Sequence, residues 1–282
     1  MFLEKFSSQI NDTIVVSAKQ GSDFAKHISN DFNPIHDPLN KRFCVPGDLL
    51  FALAVERSGI SEIMNFHFSG LVSADTPLIF PSKFGDKTTI VDERGKQYLE
   101  IEQIGPRFPN NIHVEQLIKA YVRFSGHNFP HILVPLMAEK GVMINPKRPL
   151  VIYQSMSLEF DRLNFTKPSL QLSHTNLDVE DKRGNADLHF EIFDGDEVVG
   201  HGVKHLILSG LRPYQQLAIG VCKNAAAGLK RRGLATFENK EALLSNIRII
   251  LSRLRQHSLH HGGADGIDDE GLYILWGMIG WR

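Results

Sequence analysis

The chain has 282 residues, of which 42% are hydrophobic and 22% charged, as in a globular protein with a sizeable core. Its 31 basic and 32 acidic residues give a formal net charge of -1, so no general attraction to nucleic acid is expected. No apolar run approaches the roughly 20 residues of a membrane span. Cys44 and Cys222 lack metal or redox spacing, and no apolar signal segment follows Met1. We therefore expect a cytoplasmic protein.

The first part of the chain combines short loops and helices before turning to strands. Ser22 to Ile28 predicts a short helix. Leu49 to Val55 is apolar on nearly all sides, which predicts a buried helix with Asp48 as its N-cap and Gly59 at its end. Predicted strands follow at Phe66–Phe68, Leu78–Phe80, Thr88–Val91 and Tyr98–Ile101.

The second part repeats this order of loop, helix and strands, a layout compatible with internal duplication. Helices are predicted at Val114 to Phe124 and at Phe129 to Lys140. The clearest local pattern is a long hairpin, in which Ala186 to Phe193 and Val198 to Leu208 flank the turn Asp194-Gly195-Asp196. Two further strands are predicted at Ser155–Phe160 and Gln171–Val179.

The composition changes again near the C-terminus. From Pro213 it becomes helical, and Glu241 to His257 carries leucines and isoleucines at helical spacing. We therefore divide the chain into residues 1–110, residues 111–213 and a helical C-terminal extension over residues 214–282.

The stretch Asp31-Phe32-Asn33-Pro34-Ile35-His36 carries the strongest chemical signal. A carboxylate can activate a water, and an imidazole can move a proton near neutral pH. Pro34 keeps Asn33 out of the helical region, so the segment is predicted to be a turn. A turn can aim Asp31 and His36 at one point, which predicts an acid/base site. A turn-capping Asp and a surface His are the structural alternative.

At these positions and at Pro46-Gly47 the sequence resembles the MaoC-like dehydratase and (R)-specific enoyl-CoA hydratase family. The signature is a small residue and Gly, then Asp, any residue, Asn, Pro, an aliphatic residue and His, before a Gly-initiated apolar helix. The resemblance implies an α+β double hot-dog, in which two curled antiparallel sheets each wrap a central helix. The matching residues are Ser29, Asp31, Asn33, Pro34, Ile35, His36 and Gly47.

The resemblance also implies a reaction, the hydration of a trans-2-enoyl thioester or the reverse dehydration of an (R)-3-hydroxyacyl thioester. Asp31 and His36 would hold the water and share the proton transfers. The Gly47 amide would stabilise the enolate oxygen, while Asn33 would shape the turn. The partner is then an acyl thioester of coenzyme A or of a carrier protein, without a metal or redox cofactor. A homodimer is compatible with this fold.

Three residues depart from the family pattern. Asn30 stands where Gly is usual, Pro46 where His commonly precedes the helix, and Asp48 where an apolar residue follows Gly47. An ionised Asp48 would oppose a developing oxyanion nearby. We therefore expect the oxyanion site, more than the Asp31–His36 pair, to be altered.

Other functions stay open at this point. The alternatives are an acyl-CoA thioesterase and a non-catalytic hot-dog protein that binds acyl-CoA or a protein partner. Three further groups of residues have a possible role, although helix-start, linker and helix-end roles are favoured. They are His127, Asn128 and His131 as a second site, His257, His260 and His261 with Asp265, Asp268 and Asp269 as metal ligands, and Lys230–Arg232 as a phosphate contact.

Overall fold

The computed structural model describes residues 2–31, 33–109, 112–126, 128–145 and 150–214. Its helices lie largely where the sequence predicts them. The α-helices are α1 (Ala18–Phe24), α2 (Gly47–Ser58), α3 (Ile112–Gly126) and α4 (Val134–Glu139). Shorter turns of 3₁₀ helix span Phe2–Lys5 and Pro34–His36, and turns of π-helix span Ala25–Ser29 and Phe129–Leu133. The helix predicted over 129–140 is thus divided between a π-helical turn and α4.

Helix α1 begins earlier than predicted because of a local cap. The Ser17 hydroxyl accepts a hydrogen bond from the Gln20 N–H at 3.2 Å, and the Gln20 side chain accepts one from the Ser17 N–H at 3.0 Å. This reciprocal capping box starts the helix at Ala18 rather than at Ser22. The helix then passes directly into the π-helical turn that leads to Asp31.

Ten of the strands in the described residues form one antiparallel sheet. The strands are β1 (Ser8–Ile10), β2 (Thr13–Val15), β3 (Ile60–Phe68), β4 (Leu78–Ile79), β5 (Lys87–Asp92), β6 (Gln97–Phe108), β7 (Val142–Met143), β8 (Val151–Phe160), β9 (Pro168–Glu180), β10 (Arg183–Asp194), β11 (Glu197–Ser209) and β12 (Arg212–Pro213). Their order in the sheet is β1-β2-β4-β5-β6-β3-β8-β11-β10-β9, and β7 pairs with β12 separately. The predicted hairpin is confirmed as β10 and β11.

The two halves of the chain meet where β3 pairs with β8, with Met64 opposite Leu158. Helix α2 is buried around most of its surface, as its apolar run predicts, and α3 packs beside it. The Phe51 ring of α2 lies 4.5 Å from the Tyr121 ring of α3 and 5.0 Å from the Phe66 ring of β3, measured between centroids. A core of apolar side chains therefore fills the space between these elements, and a second cluster, which includes Met137, Leu188 and Leu206, packs among α4, β10 and β11.

An antiparallel sheet that packs on α2 and on one face of α3 is the predicted α+β hot-dog architecture, and this prediction is confirmed. The boundaries near residues 110 and 213 stay predictions. The helical extension, with Glu241 to His257, lies outside the described residues. Over the part of the chain that is described, no helix is long and apolar enough to cross a lipid bilayer.

The turn of the β10–β11 hairpin is anchored by Asp194. Its Oδ1 accepts hydrogen bonds from the backbone N–H groups of Lys167 at 2.6 Å and Thr166 at 2.9 Å, and its Oδ2 from Arg162 at 3.0 Å. The hydrogen bonds from Lys167 and Thr166 are the main reason that the pKa of Asp194 falls from 3.8 to about 2.

This lowered pKa predicts a loss of stability in acid. The folded state favours the ionised carboxylate, so the stabilisation is complete above pH 3.8 and is lost as the pH falls through about 2. Urea unfolding between pH 5 and pH 2 should therefore show a shallower dependence of the unfolding free energy on pH in Asp194→Asn than in the wild type. Identical pH dependences would contradict this role for Asp194.

Candidate active site

The loop before Asp31 depends on a left-handed residue. Asn30 ends the π-helical turn with φ 56° and ψ 32°, and the Asp31 N–H then donates to the Ala25 carbonyl at 2.8 Å. Glycine adopts this conformation most readily, and asparagine is among the few other residues that tolerate it. The departure from the family signature at Asn30 therefore preserves the backbone path that glycine would give.

The turn itself fixes one oxygen of Asp31 and leaves the other available. The Asn33 N–H donates to Asp31 Oδ1 at 2.8 Å, and the Ile35 N–H donates to Asn33 Oδ1 at 3.2 Å. Such side-chain-to-backbone bonds are typical of Asx turns. As a result, Asp31 Oδ2 lies 3.5 Å from His36 Nε2, and the two predicted acid/base side chains converge.

The tautomer of His36 follows from its other ring nitrogen. His36 Nδ1 lies 2.7 Å from the Cys44 carbonyl oxygen, which can only accept a hydrogen bond. Nδ1 therefore carries the proton, and in the neutral ring the lone pair of Nε2 faces Asp31. Nε2 and Asp31 Oδ2 are then two neighbouring acceptors, placed so that one water can donate to both.

The predicted site residues all line one cavity of about 120 Å³, which is several times the volume that one water needs. These residues are Asp31, Asn33, His36 and Gly47. Gly47 is the first residue of α2, where backbone N–H groups have no partner within the helix. A Cβ atom at Gly47 would lie 2.9 Å from Cδ1 of Tyr153, so the close approach of this ring requires glycine.

The prediction that Asp48 caps this helix is wrong. Asp48 lies inside the first turn of α2, is buried, and forms an ion pair with Lys204, with Oδ1 and Nζ 3.5 Å apart. The Lys204 ammonium also donates to the Ser125 hydroxyl and lies 4.0 Å from the centroid of the Tyr153 ring. The charge expected to oppose an oxyanion is therefore balanced by a lysine that the family signature does not include.

Burial is the largest influence on the pKa values of Lys204, Tyr121 and Tyr153. Burial lowers the pKa of Lys204, and the charges of Asp48 and Asp31 act in the opposite direction. Burial also raises the pKa values of Tyr121 and Tyr153, whose hydroxyl groups hydrogen-bond to each other, well above their usual range. Both tyrosines therefore stay neutral and serve as hydrogen-bonding and ring contacts.

The sequence reasoning missed Lys204, Tyr153 and Ser125. Lys204 lies on the buried face of β11, between Gly202 and Leu206 in the alternation. The sequence held one indication of this buried group, namely a lysine on the apolar face of a predicted strand.

Two residues of the second site that the sequence suggested have different positions. Asn128 lines the same cavity as Asp31 and His36, whereas His131 is exposed. The other candidates lie outside the described residues, namely His127, Lys230–Arg232, and the histidines and aspartates between His257 and Asp269.

Comparison with solved structures finds proteins of low sequence identity. An acyl-CoA thioesterase II from Mycobacterium marinum is 11% identical with a TM-score of 0.42, and the match covers 76% of this chain and 100% of that chain. A hot-dog protein from Alicyclobacillus acidocaldarius is 10% identical with a TM-score of 0.39, and the match covers 76% of this chain and 98% of that chain. A MaoC-like dehydratase is 7% identical with a TM-score of 0.37, and the match covers 72% of this chain and 98% of that chain.

Comparison of the sequence with curated proteins gives no match. The sequence does match one family over residues 1–217, which takes in all the described strands and helices. The chain therefore belongs to the family described as "Protein of unknown function (DUF3581)".

Proposed function

We propose that this protein adds water to a trans-2-enoyl thioester, or removes water from a 3-hydroxyacyl thioester, with Asp31 and His36 as the acid/base pair. The observation that carries this proposal is the 3.5 Å approach of Asp31 Oδ2 to His36 Nε2 beside the start of α2, in one cavity. The resemblance of the Asp31–His36 stretch to the MaoC-like family supports it. The substrate is a thioester of coenzyme A or of a carrier protein, used in the cytoplasm without a metal or redox cofactor.

In the hydration direction, a water donates its hydrogen bonds to Asp31 Oδ2 and His36 Nε2. One of these groups takes a proton from the water as the water oxygen bonds to the β-carbon, and the same proton is then delivered to the α-carbon, so that the pair returns to its starting state. The negative charge that develops on the thioester oxygen faces the Gly47 N–H and the positive end of the α2 dipole. Lys204 keeps Asp48 from adding an uncompensated negative charge at this position.

A thioesterase is the second candidate, because the same activated water beside a helix start can attack the carbonyl carbon instead. That reaction releases a free thiol, whereas hydration leaves the thioester intact. The purified 282-residue protein should therefore be mixed with trans-2-butenoyl-CoA while the enoyl absorbance and free thiol are followed together. Loss of absorbance without thiol release supports the hydratase, and thiol release supports the thioesterase.

Variants of the pair test the assignment of the site. Asp31→Asn and His36→Gln should each lower the rate by about 10²–10⁴-fold, the usual contribution of a positioned acid or base. Matched controls on the exposed faces of β9 and β11, Asp178→Asn and His201→Gln, should keep the wild-type rate. Full activity in Asp31→Asn would contradict the proposal. Saturable acyl-CoA binding without turnover would instead indicate a binding protein.

A further inference from the structure

Part of the cavity lining is polar and buried, although most of the lining is apolar. We call Asp48, Ser125, Asn128 and Lys204 the polar wall. All four are buried and line the cavity that holds Asp31 and His36. The apolar lining includes Leu50, Phe68, Leu71, Val72, Leu133, Val151 and Leu206. Polar groups are costly to bury without partners, so their presence beside an apolar lining requires an explanation.

Asn128 is the least satisfied member of the polar wall. It is 3% exposed, and neither its Nδ2 nor its Oδ1 has a hydrogen-bond partner among the residues that the structure describes. A buried amide left unpaired destabilises a protein, whereas an apolar residue of similar shape would not. The Asn128 amide therefore offers its Nδ2 hydrogens as donors and its Oδ1 as an acceptor to a group that enters the cavity.

The charges of the polar wall give no preference for a charged ligand group. Asp48 and Lys204 form an ion pair at 3.5 Å, and Ser125 accepts a hydrogen bond from the same ammonium. Their charges cancel, so the wall gives no net attraction to an anion or a cation. A carboxylate would also face Asp31 and Asp48, both of which lie on the same cavity.

We propose that the polar wall recognises a hydroxyl group on the acyl part of the substrate, beyond the carbons that react. A hydroxyl can donate a hydrogen bond to Asn128 Oδ1 and accept one from Asn128 Nδ2. A ketone can only accept, and a methyl group can do neither. A site built to hydrogen-bond a hydroxyl discriminates strongly against an analogue that lacks it, because its polar groups are then left unpaired. This inference rests on the proposed function and specifies its substrate class.

The test compares two thioesters that differ in one hydroxyl, 5-hydroxy-trans-2-pentenoyl-CoA and trans-2-pentenoyl-CoA. Dissociation constants are measured by calorimetry in the Asp31→Asn variant, which prevents turnover, and kcat/KM is measured in the wild type. We expect the hydroxylated thioester to bind about tenfold tighter or better, the contribution of one hydrogen bond in a buried site. Asn128→Leu should abolish that preference, and Asn185→Leu, on an exposed position of β10, should keep it.

The outcomes separate the two proposals. Asn128→Leu removes an unpaired amide, so its melting temperature should not fall, and a lost preference then reports recognition rather than misfolding. Equal binding of both thioesters in the presence of Asn128 would overturn the hydroxyl inference and leave the acyl-thioester site standing. Failure of both thioesters to bind or react would overturn the proposed function and this inference with it.

Discussion

Lys204→Met should lower the free energy of unfolding by about 3–5 kcal/mol, the usual effect of removing one partner from a buried ion pair. Lys204 is 5% exposed and Asp48 is 8% exposed, so methionine would leave the carboxylate buried without its counter-charge. The Ser125 hydroxyl would lose its donor in the same variant. Urea unfolding at neutral pH measures the change directly.

A double variant distinguishes the ion pair from simple packing. Replacing both partners with apolar residues of similar size is often neutral or stabilising, so Asp48→Leu/Lys204→Met should recover most of the loss. Lys182→Met, which removes an exposed lysine, should change stability by no more than about 0.5 kcal/mol. If the single and double variants lose equal stability, the ion pair does not account for the effect.

Gly126→Ala should be destabilising by about 3 kcal/mol or more, because the added methyl group has no room. A Cβ atom at Gly126 would overlap the carbonyl oxygen of Ser29 and lie 2.5 Å from its carbonyl carbon. These are backbone atoms, so they cannot rotate away as a flexible side chain could. Thermal and urea unfolding should both show the loss.

The same substitution should also reduce activity among the molecules that remain folded. Ser29 lies two residues before Asp31, so a displacement of the Ser29 backbone that relieves the overlap would also shift the turn that aims the carboxylate. Gly70→Ala is the matched control for stability, because its Cβ would meet the nearest atom at an ordinary 3.6 Å. A Gly126→Ala protein of wild-type stability would show that the contact between α3 and this turn is not tight.

The features that local patterns encode were predictable. The apolar run of α2 predicted a buried helix, and the alternation around Asp194-Gly195-Asp196 predicted the β10–β11 hairpin. Asp31 and His36 were also predictable as a converging pair, because the Asn33-Pro34 step dictates a turn. In each of these cases the residues that interact lie close together in the sequence.

The polar wall was not predictable, because its members come together only in the folded sheet. Lys204 and Ser125 are 79 residues apart in sequence, and Asp48 is further still from Lys204. Local reasoning therefore gave Asp48 the role that an aspartate near a helix start usually has, the N-cap. In the structure α2 begins at Gly47, so Asp48 lies within the first turn and pairs with Lys204, a tertiary contact that no local pattern records.

The pairing of β3 with β8 places the cavity between the two halves of the chain. Asp31, His36 and Gly47 come from the first half, whereas Ser125, Tyr153 and Lys204 come from the second. Neither half alone contains a complete cavity wall. Any change that separates β3 from β8 should therefore open this cavity as well as weaken the sheet.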